Sequence, residues 1–294
     1  MISQATKNLL TLIFLALIWG SSYILMERGL VSFSAIQVAA LRIIFSALVL
    51  LPFVRKVKKE DIPYILIIAF LGSGLPTFIY PYAIQHIEGS VAGIINSLTP
   101  VFTVLFGVLL FKTKIKLFQG FGLLLSFSGA LLLILYGSSG ESLSFNKFAL
   151  IAVLAPMFYG LSTNVLKSKL SHINSVSLTA STFFILLPFA LAVLFNSNFL
   201  DVMHTKPQAY MSLGFVSILG IVGTAFALVI FNFLIKKTSA IYASSVTFLM
   251  PIVVLFWGFF DKENIGFFHI SGLVLILLGV YILNYVKKDI KPKK

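Results

Sequence analysis

A pattern of one proline followed by three glycines occurs twice along the chain, each time in an apolar background. The two sets are Pro100, Gly107, Gly122 and Gly129, and then Pro251, Gly258, Gly272 and Gly279. The turn within the first set is basic, with lysines at 112, 114 and 116, whereas the matching turn carries Asp261 and Glu263. Opposite charge at equivalent turns indicates two copies of one unit that lie in a membrane with opposite orientations.

The composition is that of a polytopic membrane protein. Hydrophobic residues make up 59% of the chain and charged residues only 11%, whereas soluble domains are about 25% charged. A net charge of +13 would suggest a nucleic-acid partner for a soluble protein. Here the lysines lie in short loops between apolar stretches, so we expect no nucleic-acid binding. The chain has no cysteine, which excludes disulfides and thiolate metal sites.

Apolar stretches of about 20 residues, the length that crosses the hydrocarbon layer of a membrane, recur along the whole chain. The ten predicted spans are 8–27, 34–53, 62–86, 90–111, 117–136, 148–167, 175–196, 209–235, 239–260 and 267–286. The longest loops between them, 137–147 and 197–208, are too short for a soluble domain. We therefore predict an all-α integral membrane protein.

The charged residues give these spans an orientation. If both termini lie on one side, that side holds 17 of the lysines and arginines and the other holds four, while Arg42 lies within a span. Acidic residues show the reverse bias, three against six. Because basic loops stay in the cytoplasm, the sequence predicts a multi-pass protein of the cytoplasmic (inner) membrane with both termini cytoplasmic.

Five spans per copy is an odd number, so the second copy must be inverted relative to the first. We predict a first five-helix repeat at 1–136, an extracytoplasmic linker at 137–147, a second repeat at 148–286 and a basic cytoplasmic tail at 287–294. The fold class is then ten transmembrane helices in two inverted-topology five-helix repeats. Such a duplication is typical of alternating-access carriers, whose repeats rock about a site at mid-membrane.

Helix-breaking residues near the middle of six spans predict where that site lies. They include four prolines: Pro76, Pro100, Pro156 and Pro251. Broken helices at membrane depth line cavities, because only there do the freed backbone groups find partners. The glycines of spans 5 and 10 are seven residues apart on one helix face, so we expect them to pack helices together, within one molecule or between two.

Polar and aromatic side chains cluster around the breaks and are the predicted substrate-binding residues. They are Trp19, Ser22, Tyr23, Tyr80, Asn96, Thr99, Tyr159, Thr163, Thr224 and Thr247. A single hydroxyl is better explained by a hydrogen bond to its own helix, whereas the shared depth of the set favours a central cavity. The amide of Asn96, one turn before Pro100, has the further option of binding backbone that the proline ring leaves free.

Arg42 is the only basic residue well inside a predicted span. A charge in the membrane interior requires a partner, and the candidates are Glu27 and Glu88, so these three residues form a predicted charge or gating group. The alternatives are a structural ion pair or snorkelling of the side chain. No Asp or Glu lies near the centre of a span, which weakens the case for dedicated proton coupling. The resulting neutral, aromatic and hydroxyl-rich wall favours uncharged or zwitterionic small molecules.

Several short motifs follow one another in a fixed order. They are Trp19-Gly20-Ser21, Leu41-Arg42, Ser97-Leu98-Thr99-Pro100 with Gln119-x-x-Gly122, and Phe248-Leu249-Met250-Pro251 with His269-x-x-Gly272. This order resembles the EamA-like branch of the drug/metabolite transporter superfamily over nearly the whole chain. The resemblance implies ten helices in two inverted repeats, a central site, and export or exchange of small metabolites, commonly amino acids. Arg42 coincides with an arginine usual in the family, and Glu263 with a glutamate that Thr113 replaces in the first copy.

The sequence therefore predicts a secondary transporter that moves small neutral or zwitterionic metabolites, as an exporter, with no cofactor. The alternative within transport is an importer or exchanger of an anionic metabolite held by Arg42. An intramembrane enzyme would need a nucleophile with a base, or metal ligands, at membrane depth. The sequence shows no such combination, so we predict no catalytic residue and no metal site. The expected partners are the substrate and membrane lipid, and the choice between monomer and homodimer stays open.

Overall fold

The computed structural model describes residues 3–113, 117–136, 146–263 and 265–285. These residues form helices and turns, with no β-strand among them. The predicted linker (from 137 to 145), the predicted tail and two lysines of the basic turn lie outside the described residues. A helix satisfies its backbone N–H and C=O groups within one segment, which is what a chain without water around it requires.

The predicted spans coincide with long helical elements, whose bounds differ from the predicted ones by at most four residues. The elements are α1 Gln4–Leu30, α2 Ala35–Leu50, α3 Lys59–Ile84, α4 Gly89–Phe111, α5 Leu117–Tyr136, α6 Lys147–Lys169, α7 Ser175–Phe195, α8 Ala209–Lys237, α9 Ala240–Phe260 and α10 Phe267–Tyr285. Within the described ranges, eight of them are long and apolar enough to cross a membrane, and α5 and α10 contain shorter apolar stretches. The prediction of an all-helical membrane protein is confirmed. A short helix, Phe199–Thr205, occupies the connection from α7 to α8, where the sequence predicted a loop.

Four helices change their hydrogen-bonding pattern near the middle. α3 contains the π-helical turn Phe70–Gly74 and α8 the π-helical turn Ile221–Phe226. α4 contains the 3-10 turn Asn96–Leu98 and α9 the 3-10 turn Ser245–Phe248. The same type of interruption thus occurs at matching places in the two halves of the chain.

Three predicted helix-breaking prolines follow these interruptions directly. Pro76, Pro100 and Pro251 lie in the first turn of the next α-helical segment, where a missing N–H costs no hydrogen bond. Pro156 differs, because α6 is continuous through it from Lys147 to Lys169. The helical pattern is not interrupted there: the proline removes the hydrogen bond of its own nitrogen and its ring crowds the carbonyl four residues earlier, but α6 packs closely against α3 and α4.

The mid-helix glycines of α1 and α6 permit close helix contact rather than a break, since both helices are continuous. A Cβ atom on Gly20 would lie 2.5 Å from Cβ of Val253 in α9. One on Gly160 would lie 2.7 Å from the carbonyl carbon of Phe102 in α4. Val253 and Phe102 both lie two residues after the prolines of the repeated pattern. The first half of the chain therefore packs on the second in the same way as the second packs on the first.

The glycines of α5 and α10 bring these two helices together within one molecule. A Cβ atom on Gly129 would lie 2.7 Å from the carbonyl oxygen of Gly272. One on Gly279 would lie 2.5 Å from the carbonyl oxygen of Gly122. Small residues at a helix contact let the backbones approach closely, which provides van der Waals packing without a hydrophobic driving force.

Charged residues collect at two opposite ends of the bundle. One end, which we call the basic end, carries Lys112, Lys167, His172 and Lys236; the other, the acidic end, carries Glu27, Glu88, Asp261 and Glu263. The turns that follow α4 and α9 have the same conformation and lie at opposite ends of the bundle. Lys112 and Lys262 adopt φ of 54° and 58°, and the next amide donates to Gly107 or to Gly258, both at 2.9 Å.

Candidate substrate site

A cavity lies between the interrupted helices, at mid-length of the bundle. Its volume is about 100 Å³, enough for several water molecules or a small polar group. The structure brings all ten predicted substrate-binding residues together around it: Trp19, Ser22, Tyr23, Tyr80, Asn96, Thr99, Tyr159, Thr163, Thr224 and Thr247. Arg42 lines the same cavity. Of the ten long helices described, only α5 and α10 contribute no lining residue.

The sequence analysis missed the contribution of α7. Thr179 and Thr182, three residues apart on one face of this helix, line the cavity beside Asn232 of α8. The amide of Asn232 donates to Thr179 Oγ1 at 2.9 Å. The first turns of α7 are rich in Ser and Thr, which could have predicted a polar lining, but no helix-breaking residue lies beside them.

Hydroxyl groups of the wall donate their protons to their own helices. Ser22, Thr99, Thr163, Thr224 and Thr247 each donate to a backbone carbonyl three to five residues earlier, at 2.6 to 2.9 Å. A hydroxyl has one proton and two acceptor lone pairs. The local hydrogen bond therefore leaves the lone pairs as acceptors: one on Thr224 accepts from Arg42, and the others are offered to the donor groups of a ligand.

The junction of α4 and α9 is held by polar contacts between the two halves of the chain. Ser97 Oγ donates to the carbonyl of Thr247 at 2.8 Å, and the amide of Asn96 points at Met250 Sδ, 3.8 Å away. Thr99 Oγ1 donates to the carbonyl of Asn96 at 2.7 Å. The carbonyl that Pro100 leaves without its usual partner therefore accepts from both the backbone N–H and the hydroxyl of Thr99, and the Asn96 side chain lines the cavity.

Three tyrosines from three helices surround one part of the cavity. The rings of Tyr23 and Tyr80 meet edge to face with centroids 5.6 Å apart, and Tyr80 stacks on Tyr159 at 6.4 Å. Tyr80 is 3% exposed, and its hydroxyl makes no well-formed hydrogen bond to any described residue. A buried hydroxyl that is only weakly bonded, here to Tyr23, is costly, so this group is available to a ligand.

Trp19 contributes the face of its ring and not its N–H group. Nε1 of Trp19 donates to the carbonyl of Gly223 at 3.0 Å, within the π-helical turn of α8. Its ring packs edge to face on Phe231, with centroids 4.9 Å apart. Trp257 lies outside the cavity, where its N–H donates to Ser21 Oγ at 2.9 Å.

Arg42 does not pair with either of the acidic residues suggested for it. Its Nε donates to Thr224 Oγ1 at 2.6 Å, and Nη1 lies 3.9 Å from Met26 Sδ. Among the described residues, it takes part in no ion pair. The side chain is only 8% exposed, so the guanidinium is held in place by neutral groups.

Glu27 and Glu88 lie instead at the acidic end, together with Asp261 and Glu263. There the carboxylate of Glu263 accepts from the amide of Ser90 at 3.2 Å. An ion pair joins Arg28 to Asp261. The predicted gating group is thus divided: Arg42 lies at the cavity, and the two glutamates lie where α1 meets the start of α4.

Comparisons with known proteins agree with this architecture. A solved crystal structure superposes with a TM-score of 0.62, covering 96% of this chain and 98% of its own at 15% sequence identity. The uncharacterized transporter YoaV of Bacillus subtilis is 23% identical, covering 94% of this chain and 96% of its own. An uncharacterized transporter of Archaeoglobus fulgidus is 26% identical, covering 94% of this chain and 97% of its own.

A third relative is the uncharacterized inner membrane transporter YedA of Escherichia coli, 23% identical over 92% of this chain and 87% of its own. The pattern of the EamA-like transporter family matches twice, over residues 6–135 and 146–285. These relatives and this family are transporters and not enzymes. The chain belongs to the EamA-like transporter family and is a multi-pass membrane transporter.

Proposed function

We propose that this transporter carries small zwitterionic or neutral metabolites, amino acid-like or aromatic, by alternating access around the central cavity. The observation that carries the proposal is the convergence of polar and aromatic side chains from both halves of the chain on one central cavity. Because the interrupted helices α3, α4, α8 and α9 line it, small changes at their interruptions can reshape the wall.

The chemistry of the wall supports a zwitterionic substrate. Hydroxyl lone pairs and the Asn96 carbonyl oxygen accept hydrogen bonds from an ammonium group, and Arg42 balances a carboxylate. Trp19 and the tyrosines provide faces against which an apolar or aromatic side chain packs. A compound with several negative charges fits poorly, because Arg42 is the only charged side chain lining the cavity in the described ranges.

The mechanism that we propose uses two inverted repeats of five spans each, with repeats at 1–136 and 148–286 and ten spans in all. The paired interruptions, the reciprocal packing of Gly20 and Gly160, and the two equivalent turns at Lys112 and Lys262 support this duplication. The helices α5 and α10, of 20 and 19 residues, serve as the fifth and tenth spans. Rocking of one repeat against the other then exposes the cavity to each side in turn.

We further propose an orientation and a direction. The basic end and both termini face the cytoplasm, since basic loops are retained there. The membrane is the cytoplasmic membrane, as the name of the Escherichia coli relative suggests for that protein. Export is the direction that the family resemblance implies.

Transport into proteoliposomes tests this function. Purified protein is reconstituted and offered a mixed pool of amino acids and other small metabolites, with and without a pH gradient, and the accumulated compounds are identified by mass spectrometry. We expect accumulation of one class of small zwitterions, and loss of this activity with Asn96→Ala. The control is Ser128→Ala on the exposed face of α5, which should transport normally. Failure of every compound to cross would contradict the proposal.

A further inference from the structure

Arg42 carries a buried charge that the rest of the described chain leaves unbalanced. A guanidinium has five N–H donors, and here one bonds to Thr224 while another faces the sulfur of Met26, a weak acceptor. The other N–H groups have no hydrogen-bond partner among the described residues. Burying a charge without a counter-ion is unfavourable, which suggests that the counter-ion comes from outside the protein.

The surroundings of Arg42 fit a carboxylate. Tyr23, Tyr80 and Tyr159 lie close enough to interact electrostatically with the guanidinium, and the Tyr80 hydroxyl, which makes no well-formed hydrogen bond to a described residue, lines the cavity with them. A planar guanidinium binds the two oxygens of a carboxylate side by side, and a phenol can donate to one of them. Within the described ranges no Asp or Glu lines the cavity to compete for Arg42.

The charge belongs to only one half of the chain. Counted from the equivalent helix caps Ser34 and Asn174, the position of Arg42 corresponds to Thr182 in the second half, which also lines the cavity. One side of the cavity is therefore cationic and the opposite side is neutral and rich in acceptors. An oriented substrate, with its carboxylate at one end, suits such a wall.

We propose that Arg42, assisted by the hydroxyl of Tyr80, is the carboxylate anchor of the cavity, and that every substrate carries one carboxylate. This inference rests on the proposed transport function and defines its substrates by the carboxylate: uncharged metabolites are excluded, and monocarboxylate anions are admitted beside zwitterions. The carboxylate is required because it neutralises the buried guanidinium. An ammonium group is dispensable, because its partners are neutral acceptors only. Dicarboxylates are rejected, since a second charge would have no partner among the described lining residues.

A panel of four related compounds tests the proposal: phenylalanine, 3-phenylpropanoate, phenylalaninamide and phenylsuccinate. Binding to purified protein in detergent is measured by thermal shift and by quenching of tryptophan fluorescence, which reports on Trp19 in the wall. We expect phenylalanine and 3-phenylpropanoate to bind, and the amide and the dicarboxylate to bind about tenfold more weakly or worse. Binding of the amide as tight as that of phenylalanine would overturn the proposal, as would binding by none of the carboxylates.

Variants separate the anchor from a structural role of Arg42. Arg42→Gln should weaken binding of both monocarboxylates about tenfold or more, and Arg42→Lys should restore part of it. Tyr80→Phe, which removes only the hydroxyl, should weaken binding by a smaller factor and leave the protein folded. Arg28→Gln at the acidic end is the matched control and should bind as the wild type does. Unchanged carboxylate binding in both Arg42→Gln and Tyr80→Phe would overturn the proposal.

The two proposals fail separately. If mixed-pool uptake proceeds but selects compounds without a carboxylate, the carboxylate anchor is wrong and the transport function stands. If no compound is transported although the monocarboxylates bind with the expected dependence on Arg42, the anchor stands and the transport function is wrong.

Discussion

The contact between Gly160 and α4 leaves no room for a side chain, and the obstructing atoms are backbone. A Cβ atom there would lie 2.7 Å from both the carbonyl carbon of Phe102 and the nitrogen of Thr103. Asn164, one turn later, donates to the carbonyl of Thr103 at 2.8 Å. One glycine and one amide thus fix how closely α6 approaches α4, beside the interruption that lines the cavity.

Gly160→Ala should therefore destabilise the protein, although alanine is a better helix former than glycine. The methyl group forces the two backbones apart, and we expect a loss of about 1–3 kcal/mol in the free energy of unfolding, seen as a lower midpoint of thermal denaturation. Gly214→Ala in α8 is the control, because a Cβ there meets no atom within 4 Å. Equal midpoints for the two variants would contradict the close contact.

An acidic residue of α1 and a basic residue of α6 occupy matching positions in the two halves, and each contacts the end of another helix. With Trp19-Gly20 aligned to Tyr159-Gly160, Glu27 corresponds to Lys167. The carboxylate of Glu27 lies against Gly89, the first residue of α4, where a helix N-terminus favours negative charge. The ammonium of Lys167 donates to three carbonyls at the end of α8, where positive charge is favoured. The two halves thus stabilise opposite ends of their helices with opposite charges.

Lys167→Met should loosen the connection between α8 and α9. The ammonium donates to the carbonyls of Ile235, Lys236 and Thr238 at 3.1, 2.9 and 2.9 Å, so all three of its N–H groups are used. Their loss should reduce stability by about 1–3 kcal/mol and speed hydrogen exchange of the amides from 236 to 242.

Lys169→Met is the matched control for that variant. Its ammonium lies 5.5 Å from the centre of the Tyr64 ring, an interaction worth about 0.5–1 kcal/mol at exposed sites. If the Lys169 variant exchanged its α8–α9 amides as fast as the Lys167 variant, the hydrogen bonds of Lys167 would not be what holds the connection.

The helices were predictable from the sequence because length and hydrophobicity suffice to locate them in a membrane chain. The ten lining residues were predictable because interruptions and polar groups share one depth. The partner of Arg42 was not. Arg42 lies seven residues into α2, about 10 Å along the axis, and sequence spacing does not tell which helix its side chain meets. The continuity of α6 through Pro156 could not be predicted from the sequence either, because it depends on packing against neighbouring helices.

At the scale of the whole molecule, polar contacts join the two halves at both ends and at the centre. Arg28 pairs with Asp261 at the acidic end, and His172 lies 3.1 Å from Asp61 at the basic end. Ser97 and Thr247 join α4 to α9 beside the cavity. A rocking motion that opened one end would have to break the contacts there while the central contacts serve as a pivot.

The inverted arrangement makes a prediction about the two equivalent turns. Lys112 and Lys262 share a left-handed conformation but should lie on opposite faces of the membrane. The chain has no cysteine, so single Lys112→Cys and Lys262→Cys variants provide unique labelling sites. Replacing lysine by cysteine adds little strain, because neither residue is a glycine.

A membrane-impermeant maleimide should label Cys at 262 in intact cells and Cys at 112 only in inside-out vesicles. This follows because five spans separate the turn after α4 from the turn after α9, and an odd number of crossings reverses the side. Lys206→Cys, in the connection from α7 to α8, is the control and should label from outside as position 262 does. Labelling of 112 and 262 from the same side would remove the inversion, and with it the physical basis for alternating access.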